Sequence, residues 1–107
     1  MIDLTGRKAL VTGATGGIGE AIARQLHALG ATVGLHGTRV EKLEALAADL
    51  GERTVLLPAN LSDRDAVKAL AAKAEADLEG VDILVNNAGI TRDGLFVRMS
   101  DKDWDDV

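Results

Sequence analysis

The sequence has 107 residues, enough for one small domain and no more. Hydrophobic residues make up 47% of it, but aromatics are only 2%, so a core must be assembled mainly from Ala, Leu and Val. The net charge of −5, from 17 acidic and 12 basic residues, argues against nucleic-acid or anionic-membrane binding. The absence of cysteine removes disulfides and thiolate chemistry.

No basic start with an apolar stretch behind it opens the chain, and no apolar run approaches the roughly 18 residues of a membrane span. The expectation is a soluble cytoplasmic domain with no membrane or nucleic-acid partner. Ala9-Leu10-Val11 is a short strand signal, closed by a glycine-rich stretch over residues 12–19. From residue 17 to 29, Ile18, Ile22, Leu26 and Leu29 recur on one helical face, and Gly30 stops the helix. Residues 31–35 form a second strand. A second helix over residues 39–50 places Val40, Leu43, Leu46 and Leu50 on one stripe, with Gly51 at its end. Thr54-Val55-Leu56-Leu57 is a third strand, cut off by Pro58. Ser62 with Asp65 predicts the cap of a third helix, which buries Val67, Leu70, Ala74 and Leu78 and stops at Gly80. Residues 81–85 form a fourth strand that runs into Asn86-Asn87-Ala88-Gly89.

Strands alternating with helices of this length predict a parallel α/β sheet. The order β-α-β-α-β-α-β is one half of a Rossmann-type doubly wound fold plus the start of the second, truncated to about four strands. Ser100 with Asp103 looks like another helix start, with Trp104 and Val107 beginning its buried face. That helix would have about two turns, and the fourth strand would lie at an open edge. Val107 is therefore expected to be an artificial or proteolytic end. Residues 1–107 are expected to be the N-terminal dinucleotide-binding part of a single domain whose remainder is absent.

The stretch Thr12-Gly13-Ala14-Thr15-Gly16-Gly17-Ile18-Gly19 lies after the first strand and at the first helix's N-terminus. Backbone N–H groups there lack helical partners, and the helix dipole adds positive charge, so a pyrophosphate suits the position. A Cβ at Gly13 or Gly17 is expected to obstruct the turn or the ligand's approach, and at Gly19 to push the helix off the strand. A nucleoside-triphosphate loop would need Lys then Ser or Thr after its last glycine, and Gly19 is followed by Glu20-Ala21.

The spacing T-G-x-x-x-G-x-G, together with Asn86-Asn87-Ala88-Gly89 after the fourth strand, resembles the short-chain dehydrogenase/reductase family. The resemblance runs from Lys8 to the end of the chain. Within the family, the stretch from Val81 through Asn86-Asn87-Ala88-Gly89-Ile90-Thr91-Arg92-Asp93-Gly94 to Met99 is most similar to bacterial 3-oxoacyl-[acyl-carrier-protein] reductases. The resemblance implies NADP(H)-dependent reduction of an acyl-carrier-protein-linked 3-oxoacyl group in fatty-acid synthesis, by a homo-oligomer, a tetramer. It assigns cofactor contacts to Gly13, Ala14, Thr15, Gly16, Gly17, Ile18 and Gly19. Asn60 and Leu61 would lie by the adenine, and Asn87, Ala88 and Gly89 by the ribose and nicotinamide. Asn60 stands where relatives often have Asp, and Asn87 could equally hold the fourth strand's end to a neighbour.

The end of the second strand selects the cofactor. An acidic side chain there would accept from the adenosine ribose and repel a 2′-phosphate. Residues 31–40 contain no Asp or Glu, and Gly37-Thr38-Arg39 offers a hydroxyl and a guanidinium instead. That predicts NADPH over NADH, held by Thr38 and Arg39, with Arg39 as a merely solvated residue the competing reading. Some related reductases carry Arg at the Gly16 position, and its absence puts more of the recognition on Thr38 and Arg39.

His27 reads as a solvent-facing or satisfied histidine, and His36, near the adenosine, as structural. No His pair or His/Asp cluster has ligand spacing, so no metal is expected. Trp104 reads as a core anchor, and Asp101, Asp103, Asp105 and Asp106 as a first-turn charge bias. In the family resembled, a Tyr donates a proton as hydride arrives, a Lys lowers its pKa, a Ser polarises the carbonyl and an Asn supports a relay. This chain has no tyrosine, and no catalytic residue is expected within it. Alone it is expected to bind NADPH weakly and turn over nothing. Another short-chain ketone or alcohol oxidoreductase, or a non-catalytic nucleotide-binding half-domain, remain alternatives.

Overall fold

The fold is that of a computed structural model, which describes residues 2–87 and the backbone of Phe96–Met99. Strands β1 (Lys8–Val11), β2 (Thr32–Gly37), β3 (Thr54–Pro58), β4 (Ile83–Asn86) and β5 (Phe96–Met99) form one sheet in the order β3-β2-β1-β4-β5. Helices α1 (Gly17–Ala28), α2 (Val40–Leu50) and α3 (Arg64–Leu78) connect the first four strands. Those four pair in parallel, and β5 runs antiparallel to β4. The chain leaves β1 for one side of the sheet, through β2 and β3, and returns to the other side at β4. This reversal leaves a crevice beside the C-terminal ends of β1 and β4.

Alternation along the strands sorts the core into two layers. Ala9, Val11, Val33, Leu35, Ile83 and Val85 pack against Ala23 of α1 and Leu43 and Leu46 of α2. Leu10 and Leu57 point to the other face, where they meet Leu70, Ala74 and Leu78 of α3. Gly34 lets this second layer close: a Cβ there would lie 2.9 Å from Leu57 and 3.0 Å from Leu78. The aromatic-poor composition thus gives a core of small and branched side chains between sheet and helices.

The four expected parallel strands are present, and the differences lie at element edges. The edge of β4 is paired, not open, because the extended Phe96–Met99 segment hydrogen-bonds along it from Ile83↔Met99 to Asn86↔Phe96. Asp63, not Ser62, caps α3: its backbone is extended and its carboxylate accepts from the Ala66 N–H at 2.8 Å. A carboxylate is the stronger acceptor and also meets the positive helix end. The buried stripe of α3 begins at Leu70, leaving Val67 47% exposed in the turn before it. Helix α1 is turned slightly from its expected face: Ile22 and Leu26 of that face pack against the core and are joined by the buried Gly19 and Ala23, while Ile18 is left 55% exposed. Gly19 has to press on the preceding turn, as described below. Val40, at the first turn of α2, is likewise exposed. The helix expected at Ser100, with Trp104, Val107 and the acids Asp101, Asp103, Asp105 and Asp106, lies outside the described residues.

Candidate functional site

The C-terminal ends of β3, β2, β1 and β4 lie side by side, so the sheet order brings together segments that are far apart in sequence. Asn60 and Leu61 follow β3, Thr38 and Arg39 follow β2, the glycine-rich loop follows β1, and Asn87 follows β4. Ala88 and Gly89 lie outside the described residues.

The loop is held mainly by its first glycine. Gly13 has φ +63°, a left-handed conformation that glycine adopts without steric cost. Its N–H donates to His36 Nδ1 at 3.0 Å. Its carbonyl accepts from Asn87 Nδ2 at 3.1 Å and from the Gly16 N–H at 3.2 Å. The Ala14 N–H donates to the His36 carbonyl at 2.7 Å. Thr12 ties the loop to β4: its N–H donates to the Val85 carbonyl at 3.0 Å, and its hydroxyl accepts from the Asn87 N–H at 2.8 Å.

Close packing then fixes α1. A Cβ on Gly19 would run into the Gly13 carbonyl oxygen, and would lie 2.6 Å from Asn87 Nδ2 and 2.8 Å from the Gly13 carbonyl carbon. Backbone cannot yield as a flexible side chain can, so only glycine fits. Gly17 differs: a Cβ there meets nothing within 4 Å, so the packing of the fold does not itself require glycine at that position.

These contacts divide the loop's donors. The N–H groups of Gly13 and Ala14 are spent inside the protein. Helix α1 opens with no side-chain cap, because its N-cap is Gly16, and Ile18 is exposed beside that opening. The first-turn N–H groups and the dipole there suit a phosphate oxygen. Asn87 is 7% exposed, and its Oδ1 is buried with no hydrogen-bond partner among the described residues. A buried acceptor of that kind is costly unless a donor reaches it. The expected alternative role of Asn87, holding the strand end, is met by its Nδ2, while its Oδ1 remains for another group.

Thr38 and Arg39 are exposed where β2 turns into α2, and Arg39 is the residue before that helix. No carboxylate pairs with Arg39 among the described residues. Thr15 reaches the same corner, since a Cβ on Gly37 would lie 3.3 Å from Thr15 Oγ1. Asn60 is exposed beyond β3, and a cleft of about 230 Å³ borders it between β3 and α3. A second cleft, about 640 Å³, opens between α1 and α2 and meets the loop at Thr15. Its Arg24 is bound by Glu20 at 3.0 Å and Asp49 at 2.6 Å, which joins the two helices. The strand-end arrangement therefore suits a long ligand with phosphate near the α1 opening and a further anion near Arg39.

His27 is satisfied, with Nε2 2.6 Å from the Glu52 carbonyl. His36 is buried and contacts the loop directly, which its sequence neighbourhood alone did not disclose. Among the described residues no helix is long and apolar enough to cross a membrane, and no group of three metal-ligating side chains forms.

Residues 7–107 match the model of the short chain dehydrogenase family. The chain is 82% identical over its whole length to nodulation protein G of Rhizobium sp. (strain N33), covering 44% of that protein. It is 50% identical to the 3-oxoacyl-[acyl-carrier-protein] reductase FabG of Rickettsia bellii, covering 43% of that protein. The chain thus spans less than half the length of these curated relatives. Among solved structures, a Brucella melitensis 3-ketoacyl-(acyl-carrier-protein) reductase complexed with NADH is similar, at 32% identity and a TM-score of 0.71. That match covers 77% of this chain and 34% of the other. A metagenomic short-chain oxidoreductase in complex with NADP matches at 45% identity and a TM-score of 0.74, over 80% of this chain and 40% of the other. With its glycine loop, its strand order and this match over nearly all its residues, the chain belongs to the short-chain dehydrogenase/reductase family.

Proposed function

We propose that residues 1–107 are the N-terminal dinucleotide-binding part of a single Rossmann-type domain in an NADPH-dependent reductase. Its substrate is a 3-oxoacyl group carried on acyl carrier protein, reduced to the 3-hydroxyacyl form in cytoplasmic fatty-acid synthesis by a homo-oligomeric enzyme, a tetramer. The observation that carries the reading is the uncapped α1 opening beside an exposed Thr38–Arg39 corner with no acid from residue 31 to 40. The pyrophosphate would lie over Gly16, Gly17, Ile18 and Gly19, with Thr15 beside it and Ala14 lining the turn. Thr38 and Arg39 would take the 2′-phosphate. Asn60 and Leu61 would flank the adenine. Asn87, with Ala88 and Gly89, would face the ribose and nicotinamide. Bound there, the cofactor supplies hydride. This chain's residues orient it, and the proton donor and carbonyl-polarising groups belong to sequence beyond Val107.

A second reading is favoured by the higher identity to nodulation protein G than to the acyl-carrier-protein reductases. In it the enzyme is a short-chain reductase of another ketone. The test is NADPH oxidation by the full-length protein with a 3-oxoacyl thioester on acyl carrier protein and, separately, with free ketones. Turnover of the carrier-bound thioester supports the first reading. Turnover of free ketones alone selects the second, and no turnover with either counts against both. The 107-residue chain by itself is expected to bind NADPH weakly and reduce nothing.

A further inference from the structure

His36 is 3% exposed, and both of its ring nitrogens are engaged by backbone of the segments that follow two different strands, β1 and β3. Nδ1 lies 3.0 Å from the Gly13 N–H, and Nε2 lies 2.9 Å from the Ala59 carbonyl. A carbonyl can only accept and an N–H can only donate. The neutral ring with its proton on Nε2 is therefore the form that satisfies both contacts. The backbone of His36 adds to this, since its carbonyl accepts from Ala14, and next to it the Gly37 carbonyl accepts from the Ala59 N–H at 3.1 Å.

We propose that His36 is a positioning residue for the dinucleotide: its neutral Nε2–H imidazole clamps the Gly13 peptide and joins the phosphate-side loop to the adenine-side end of β3. The inference rests on the dinucleotide-binding reading above. Its physical content is that Gly13 carries three of the contacts that shape the loop. Its carbonyl is held by Asn87 and Gly16, and Gly19 packs closely against that same carbonyl. Among the described residues, only His36 holds its N–H. Without an acceptor there, a part-buried N–H loses its partner and the peptide is freer to rotate, which would turn the loop away from a bound phosphate.

Protonation has the same effect as removing the acceptor, because a proton on Nδ1 faces the Gly13 N–H. Burial pushes the His36 pKa down from its ordinary value, and the Ala59 hydrogen bond partly opposes that shift. The segments that supply the ring's contacts, Thr12-Gly13-Ala14 and Pro58-Ala59-Asn60, carry no titratable side chain. On its own segment the nearest charge is the exposed Arg39. The neutral clamp is thus the resting state near pH 7, and acid opens it.

The test uses the full-length protein, NADP⁺ as the probe, and two variants that each mimic one ring nitrogen. In His36→Asn the amide oxygen stands near the Nδ1 position and keeps an acceptor for Gly13. In His36→Gln the polar group reaches the Nε2 position and leaves the Gly13 N–H unpaired. Calorimetric titration at pH 7.5 should place His36→Asn within about threefold of wild type, and His36→Gln about tenfold weaker or more. Between pH 7.5 and 5.5 wild type should lose more affinity than His36→Asn, a comparison that cancels protonation of the ligand's own phosphate. Equal losses in the two variants, or identical pH profiles for wild type and His36→Asn, would overturn the proposal. If either variant fails to fold, ¹⁵N imidazole shifts of the wild type decide it. The Nε2–H tautomer supports the clamp, and the Nδ1–H tautomer or a charged ring at pH 7.5 contradicts it. Absence of NADP⁺ binding by the wild type itself counts against the dinucleotide reading and leaves the imidazole shifts to judge the clamp.

Discussion

The loop after β1 and the turn after β2 stand side by side at the C-terminal ends of neighbouring strands, yet they are built in opposite ways. The loop is locked from within: Gly13 is bonded to His36, Asn87 and Gly16, and Gly19 is pressed against it. At the turn, Thr38 and Arg39 point outward, and Arg39 provides no side-chain cap to α2. At the loop the protein spends its hydrogen bonds internally. At the turn it leaves side chains exposed, as the proposed discrimination between cofactors requires. Changes at the internally packed positions of the loop, Gly13 and Gly19, should therefore cost folding and binding together, and changes in the turn should cost selectivity alone.

The largest effect is expected from Gly19→Ala, since the new methyl group meets backbone that cannot move aside. Overpacking of this kind costs about 3 kcal/mol or more, and urea unfolding should show it along with loss of NADPH binding. A variant of unchanged stability would break the comparison. Arg39→Ala is the counterpart on the turn. It should leave the unfolding free energy within about 0.5 kcal/mol of wild type while weakening NADPH, as expected of an exposed residue with no ion-pair partner among the described residues.

Acid sharpens the contrast further. The His36 pKa lies below its usual 6.5 in the folded protein, so the unfolded chain binds the proton more readily. Stability should then fall as pH drops below about 6.5, with a slope not above about 1.4 kcal/mol per pH unit for one proton. Urea midpoints from pH 7.5 to 5 would show it, and His36→Asn should flatten that component. The smallest effect is expected from Gly17→Ala. With open space around the new methyl, folding stability should change by less than about 1 kcal/mol. NADPH affinity should nonetheless fall at least about tenfold, because the methyl stands where the phosphate approaches. Unaltered binding would place the pyrophosphate elsewhere.

Much of this was legible in the sequence because it is written in local patterns. Strand–helix alternation announces the parallel sheet, and Gly13, Gly17 and Gly19 at the first strand–helix boundary announce the loop. The strand order then brings Arg39, Asn60 and Asn87 to that loop's edge, as the α/β pattern implies. Other features depend on contacts that no spacing encodes. His36 looks like any strand-end histidine until Gly13 and Ala59 are found on either side of its ring. Hydrophobic periodicity put Ile18 and Val67 inside, but the close approach of Gly19 turns α1, and α3 meets the sheet only from Leu70 onward. Ser62 and Asp63 are both credible caps, and only backbone geometry separates them. The strand at Phe96–Met99 has too short a pattern to predict, and it exists as a partner for β4.

The C-terminal strand ends are proposed to receive a dinucleotide bearing a 2′-phosphate, discriminated at Arg39. The most direct test of that proposal is the pair of dissociation constants for NADPH and NADH, measured on the full-length protein and on Arg39→Ala. Wild type should favour NADPH, and the substitution should weaken NADPH by about 1.5–3 kcal/mol while leaving NADH nearly unchanged. An equal loss for both cofactors, or a wild type that prefers NADH, would contradict it.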